Sequence, residues 1–285
     1  RRLYRQGRTY HVKRITVVSR DTLAFGNFAD NFVGANVLYQ QNAGRISFST
    51  APNFWVVRGA WKRGFKTFNL MNKEVTRNLT NNIAGKWADF KVYLSNDHYN
   101  SANALEFIDN GGNTVSLGEW NYSDFVSFDG TTSDDTFRIH LLGDHVAGGG
   151  GGDTWASAGL IQSYGATRAT VDFDQPNVPG TASDDPLLNV FDYGTTIDEV
   201  IDKLEADNDN PPYSIADYPG ASVNMPKPIV MVDGTVADGS TTLGGFDALC
   251  GLIEVECNSP IENDVFSVLV ELSAGHYRGI KSEAI

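Results

Sequence analysis

The feature that most limits what this chain can fold into is a succession of short β-rich runs, cut apart almost everywhere by glycine and Asx clusters. His11 to Ser19 (HVKRITVVS), Arg45 to Thr50, Phe54 to Trp61 (FWVVRGAW), Trp87 to Leu94 (WADFKVYL), Thr114 to Leu117, Phe125 to Phe128 and Thr136 to Leu142 (TFRIHLL) come first. After a long interruption come Ala166 to Phe173, Ile229 to Val232, Leu249 to Cys257 and Val265 to Leu272. The runs are rich in branched and aromatic residues, which suit a pleated, half-buried surface. In the last run Phe266, Val268, Val270 and Leu272 alternate with Val265, Ser267, Leu269 and Glu271, so at least one face is expected to be well buried. Many short strands joined by turns and long loops predict an all-β chain, a sandwich or jelly roll. A chain of 285 residues is long enough to give such a fold a sizeable core.

Two helical stretches stand out. Thr196 to Leu204 (TIDEVIDKL) opens on a capping box of Thr196 and Glu199, with Ile197, Val200, Ile201 and Leu204 at helical spacing. Met71, Val75, Leu79 and Ile83 form a second stripe, which places a helix between two strands. Both stripes read as packing surfaces. The pattern does not suggest βαβ units.

Charge divides the chain. Residues 1–91 hold 16 Lys and Arg against 4 Asp and Glu, a net of +12, whereas residues 92–285 hold 6 against 31, a net of −25. The basic density peaks in residues 1–20, read as an inward-facing N-terminal arm or first strand, with 21–285 as the folded domain. There Arg1, Arg2, Arg5, Arg8, Lys13 and Arg14 are the candidates for sequence-independent contact with nucleic-acid phosphates, and Tyr4 and Tyr10 for stacking on unpaired bases. A solvated basic edge strand is the plainer alternative. The acidic remainder repels a polyanion, so nucleic acid is expected on the N-terminal side alone. The chain opens at Arg1-Arg2 with no charged-then-apolar leader, and a longer arm is expected ahead of it.

Residues 145–225 read as a loop-rich acidic insertion that projects from the surface or makes subunit contacts. Gly148 to Gly152 are five consecutive glycines, without the Lys-Ser/Thr pair a phosphate-cradling loop needs. Asp172 to Asp217 is dense in Asp, Asn and Pro, which mark turns. Asp207-Asn208-Asp209-Asn210 superficially resembles the start of a calcium loop but lacks the central Gly and the closing Glu. Calcium shared between subunits through Asp134, Asp135 or Asp184 is the weaker alternative to solvated acids, and no other cofactor is expected. None of the five histidines has zinc-ligand spacing, and no G-x-S-x-G elbow is present, so nothing points to an enzyme. Cys250 and Cys257, seven apart on one expected strand, point to opposite faces and are expected to be free thiols. No apolar run reaches the roughly 18–20 residues of a membrane span. Trp61 and Trp87, inside strand-like runs, are expected in the core, and Trp55, Trp120 and Trp155 are candidate interface anchors.

Two stretches carry a family resemblance. Arg63 to Leu94 contains RGFKTFNLMNKEV and GKWADFKVYL, and the tail Asp264 to Ile285 is DVFSVLVELSAGHYRGIKSEAI, with Gly275, Tyr277 and Gly279 in a G-x-Y-x-G pattern. Both resemble capsid proteins of circular single-stranded DNA viruses that encode a replication protein, such as the bacilladnaviruses of diatoms and the smacovirus-like capsids. The stretches cover about a fifth of the chain. The resemblance implies a single jelly roll with long loops and one or two short helices, self-assembly into an icosahedral, T=3-type shell, and a basic N-terminal region on packaged single-stranded DNA. It places the protein in the virion, and in the host nucleus or cytoplasm during assembly. A secreted carbohydrate-binding β-sandwich is the alternative, and it gives no reason for the basic N-terminal third.

Overall fold

The alternation in the first run becomes a long strand in the computed structural model, which describes residues 6–19, 44–78, 90–100, 105–109, 111–114, 122–127, 135–147, 155–169, 202–204, 206–207, 217–236, 239–259 and 264–285. In chain order the elements are β1 (Arg8–Ser19), β2 (Arg45–Thr50), α1 (Trp55–Asn78), β3 (Tyr93–Ser95), α2 (Asn96–Asn100), β4 (Asp124–Ser127), β5 (Asp135–Leu142), β6 (Val146–Ala147), β7 (Trp155–Gly159) and α3 (Leu160–Ala169). Then come β8 (Ile229–Thr235), β9 (Ser240–Gly244), β10 (Asp247–Ala248), a 3₁₀ turn Leu249–Gly251, β11 (Glu254–Asn258), β12 (Phe266–Leu272), β13 (Ala274–Gly275), β14 (Gly279–Ile280) and β15 (Ser282–Ala284). Among the described residues most elements are strands, in several largely antiparallel sheets, as the all-β reading expects. Among the described residues no helix is long and apolar enough to cross a membrane.

Two sheets enclose the first core. β1 lies between partners on both sides: its second half pairs with β12 and β9, its first half with β15 and β10. The other sheet has β2 between β11 and β8. Val12, Ile15 and Val17 of β1 meet Ile46 and Phe48 of β2, Leu243 of β9 and Val255 of β11 in one buried cluster, so the sheets face each other. A bulge between Val12 and Arg14 leaves Lys13 and Arg14 exposed in succession. Gly245 lies against it, where a Cβ would stand 2.1 Å from the Val12 carbonyl oxygen.

A second core is built differently. β5 pairs antiparallel with β4 but parallel with β3 and β7, and α1 and α3 contribute to the same cluster. Parallel pairs are unusual in the sandwich or jelly roll the sequence suggested, whose sheets are antiparallel. Phe54 to Trp61, expected as a strand, instead opens the 24-residue helix α1. Val56, Val57, Ala60 and Trp61 are buried at positions that share one side of a helix, which β-branched composition had masked. Gly59 and Gly64 let α1 approach its neighbours: a Cβ on Gly59 would be 2.8 Å from the Tyr164 hydroxyl, and one on Gly64 2.8 Å from Leu160. Met71 belongs to this helix, but Leu79 and Ile83 of the expected stripe lie outside the described residues.

Further expectations change. Residues 155–169 and 217–221, assigned to a surface insertion, supply Leu160, Ile161, Tyr218 and Ala221 to this core. Residues 166–169 end α3 rather than begin a strand. Leu249 to Cys257 is not one strand: buried Cys250 sits in the 3₁₀ turn at φ +58°, half-buried Cys257 lies on β11, and both thiols are free. The run at Val265 is paired, but Val268, Leu269 and Val270 are exposed, with Leu269 at 59%. Among the described residues β12 has β1 as its only sheet partner, so it forms an edge. Trp61 is buried as expected, Trp55 is exposed, and Trp87 and Trp120 lie outside the described residues. Of the helix expected at Thr196 to Leu204, residues 202–204 are described and helical.

His140 is fully buried between β5 and β7. Its Nε2–H donates to the Asp144 carbonyl (2.7 Å), which can only accept, and its Nδ1 faces Ser157 Oγ at 2.7 Å. Burial lowers the pKa of His140, and also those of His98 and His145, below the ordinary 6.5. The folded chain therefore binds fewer protons than the unfolded chain in the window just below pH 6.5, so stability falls as pH drops through it. Urea midpoints at pH 7.5 and 5.5 are expected to show this loss, with a smaller pH-dependent change in His140→Gln.

Candidate nucleic-acid interface

Of the predicted contact residues, Arg1, Arg2, Tyr4 and Arg5 lie outside the described residues. The others lie on β1, which from Arg8 onward is a central strand rather than an arm, because Val12, Ile15 and Val17 must be buried. The structure does not bring these residues to one surface. Tyr10 is 4% exposed and packs beside Gly251, so its ring offers no face to a base. Arg14 pairs with Glu271, its direct partner on β12, and His11 with Asp247 and Glu283. The exposed Arg14–Glu271 pair contributes about 0–1 kcal/mol, but it reduces the positive field of the strand. Lys13 stands exposed at the bulge.

Arg8 meets the chain's last hairpin. Its guanidinium lies 3.7 Å from the Tyr277 ring centre, and its Nε–H donates to Ser282 Oγ at 2.9 Å. Arg8, His276, Tyr277, Lys281 and Ser282 line one open concavity. Arg278 and Lys281 are two of the six cations in the acidic part of the sequence, and the fold places both on the hairpin that carries Tyr277. The G-x-Y-x-G tail now has a physical reason. A Cβ on Gly275 would be 2.5 Å from Lys281 Cα, and Arg278-Gly279 form the tight turn at φ +51° and +89°. Tyr277 and Ile280 exchange both backbone bonds, each 3.0 Å, across it. The last residues are held by two hydrogen bonds: Arg58 on α1 donates to the Ala284 carbonyl, and the Ile285 N–H donates to the Gly7 carbonyl.

Sequence reading missed α1 as a charged surface. Lys62, Arg63, Lys66, Lys73 and Arg77 are all exposed on it. The signal was present: spacings of 4, 7 and 4 between Lys62, Lys66, Lys73 and Arg77 are helical, but the strand expected at Phe54 to Trp61 hid the first turns. Like-charged i,i+4 pairs such as Lys62–Lys66 and Lys73–Arg77 each cost a helix about 0.2–0.5 kcal/mol.

Elsewhere, Tyr93 and Tyr122 stack at 3.7 Å, with His98 Nε2 3.0 Å from the Tyr122 hydroxyl. Burial pushes the Tyr122 hydroxyl up to about 12, so it stays protonated. The Leu94 N–H donates to His98 Nδ1, which fixes a neutral ring. This cluster reads as packing. Asp135 begins β5 opposite Ser127, while Asp134 and Asp184 lie outside the described residues. Among the described residues no group of three His, Cys, Asp or Glu could hold a metal ion.

Comparison with family models, with curated proteins and with solved structures gives no match for this chain. Its functional reading therefore rests on the residues themselves.

Proposed function

We propose that the chain is the shell-forming subunit of an icosahedral, T=3-type virus capsid, built on a single jelly roll, that encloses a single-stranded DNA genome through its basic N-terminal third. The observation that carries this reading is how the two ends of the chain pair. β1 and β2, in opposite sheets, take as neighbours β12 and β11, which are consecutive near the other end. A two-strand ribbon laid across both sheets against the last such ribbon is how a jelly roll wraps. β8 and β9 form a further ribbon that flanks β2 and β1 in the same way.

Self-association is supported by the apolar edge at Val268, Leu269 and Val270, joined in character by Val230 and Met231 on β8. A long edge strand with exposed apolar side chains invites another chain unless it is covered, and a shell supplies that cover. Cargo binding is supported by the split of charge, net +12 in residues 1–91 and net −25 in the remainder. This polarity suits a basic inner and an acidic outer surface.

The test is assembly. The chain is expressed with its native N-terminus and examined by negative-stain microscopy and its 260/280 nm absorbance ratio. Closed uniform shells containing nucleic acid are expected. Replacing Arg1, Arg2, Arg5 and Lys13 by Ala is expected to preserve the fold and lower the absorbance ratio of the particles. A monomer free of nucleic acid across salt and calcium conditions overturns the proposal and favours the carbohydrate-binding sandwich.

A further inference from the structure

The exposed cations of α1 sit on one side of it. At 3.6 residues per turn, Lys62, Arg63, Lys66, Lys73 and Arg77 fall within an arc of about 100°. Val56, Val57, Ala60 and Trp61 lie outside that arc and are buried against the second core. From Lys62 to Arg77 the stripe runs about 22 Å at 1.5 Å per residue. Glu74 is the one acid in the helix sequence, against six Lys and Arg.

A folded protein gains nothing from like charges at i,i+4 in isolation. They become favourable when a polyanion lies along them, because each cation then neutralises a phosphate and releases a counterion. The neighbouring surface is consistent with this use. The first turns of α1 adjoin the start of β1 through Trp61 and Gly7, and the last residues through Arg58 and Ala284, so Arg8 and the Lys281 hairpin lie toward the same end of the helix. Phe65, 42% exposed beside the stripe, stacks on Trp61 and so ties this part of the helix to the second core.

We propose that the outer face of α1, through Lys62, Arg63, Lys66, Lys73 and Arg77, binds the phosphate backbone of a single-stranded nucleic acid. This deepens the nucleic-acid part of the proposed function and rests on it. It makes the helix, rather than the first fourteen residues alone, a principal contact with the cargo. The binding is independent of sequence, since the cations meet phosphates rather than base edges.

The experiment uses the full chain and a fluorescently labelled oligothymidylate, with anisotropy read across a salt series. The test variant is K62A/K66A/K73A, in which alanine keeps the helix propensity, and circular dichroism and thermal melting verify folding. For single strands each lost phosphate contact lowers the slope of log K against log salt by about 0.7, so three lower it by about 2. K203A/K227A, which removes cations paired with Asp207 and Asp97, is expected to leave the slope unchanged. A triple variant with the wild-type slope and affinity overturns the proposal and leaves α1 a solvated face. If it does so while wild-type particles still form and carry nucleic acid, the capsid reading stands and only the helix assignment falls. A wild-type chain that binds no oligonucleotide overturns both nucleic-acid claims.

Discussion

Removal of residues 1–19 is expected to destroy the folded state, whereas removal of residues 1–5 is expected to leave it intact. An N-terminal arm would be dispensable to the domain behind it. β1 is instead paired along its length, with β15 and β10 at its start and β12 and β9 toward its end. Val12, Ile15 and Val17 are buried in the first core, and each contributes about 1.5–3 kcal/mol through burial. Together they approach the total stability of a typical domain, about 5–15 kcal/mol. Loss of the strand also exposes backbone donors and acceptors of four neighbours. Circular dichroism and thermal melting of the two truncated chains provide the check, and a cooperative native-like melt from the longer deletion would show that β1 is an accessory strand.

The second large effect is expected at Phe48. It is fully buried at the centre of β2, opposite Val255 of β11 and Val232 of β8, and faces Ile15 and Val17 in the same cluster. Phe48→Ala removes the ring and leaves a cavity that flanking strands, held by their own ladders, cannot close. The expected cost is about 3–5 kcal/mol, read as a lower urea midpoint. Leu269→Ala, at the exposed edge, is expected to change unfolding stability by less than about 0.5 kcal/mol while weakening self-association. If both substitutions shift the midpoint equally, β12 is not the exposed edge described above.

The strands were legible where local pattern and tertiary burial agree. Arg45–Thr50 and Asp135–Leu142 lie within a residue of the sequence reading, because branched and aromatic residues there meet a core, whereas Phe266–Leu272 was placed as a strand by its alternation although its central side chains are exposed. Phe54 to Trp61 failed for the same reason: two valines, two tryptophans and a phenylalanine suggest a strand, but their neighbours in space are α3 and β5. A helix with Val56, Val57, Ala60 and Trp61 on one side buries more there than a strand could, and packing outweighs the small propensity difference. Residues 145–225 misled in the opposite direction. Their acid- and glycine-rich composition obscured Leu160, Ile161 and Tyr218, which the second core recruits from both ends of the segment.

The site was legible as composition and not as geometry. The amino-acid sequence alone determined that the chain is mostly β and that positive charge gathers in its first third, since both properties follow from residue type and order. Only the tertiary structure decided which cations stand on a shared exposed face and which meet acids across a sheet. Cross-strand register set Glu271 against Arg14 and Asp247 against His11, while the last hairpin set Lys281 near Arg8. The physical reason is that electrostatic fields act through space. Residues separated by 273 positions share one concavity, and no local pattern in a chain encodes that distance.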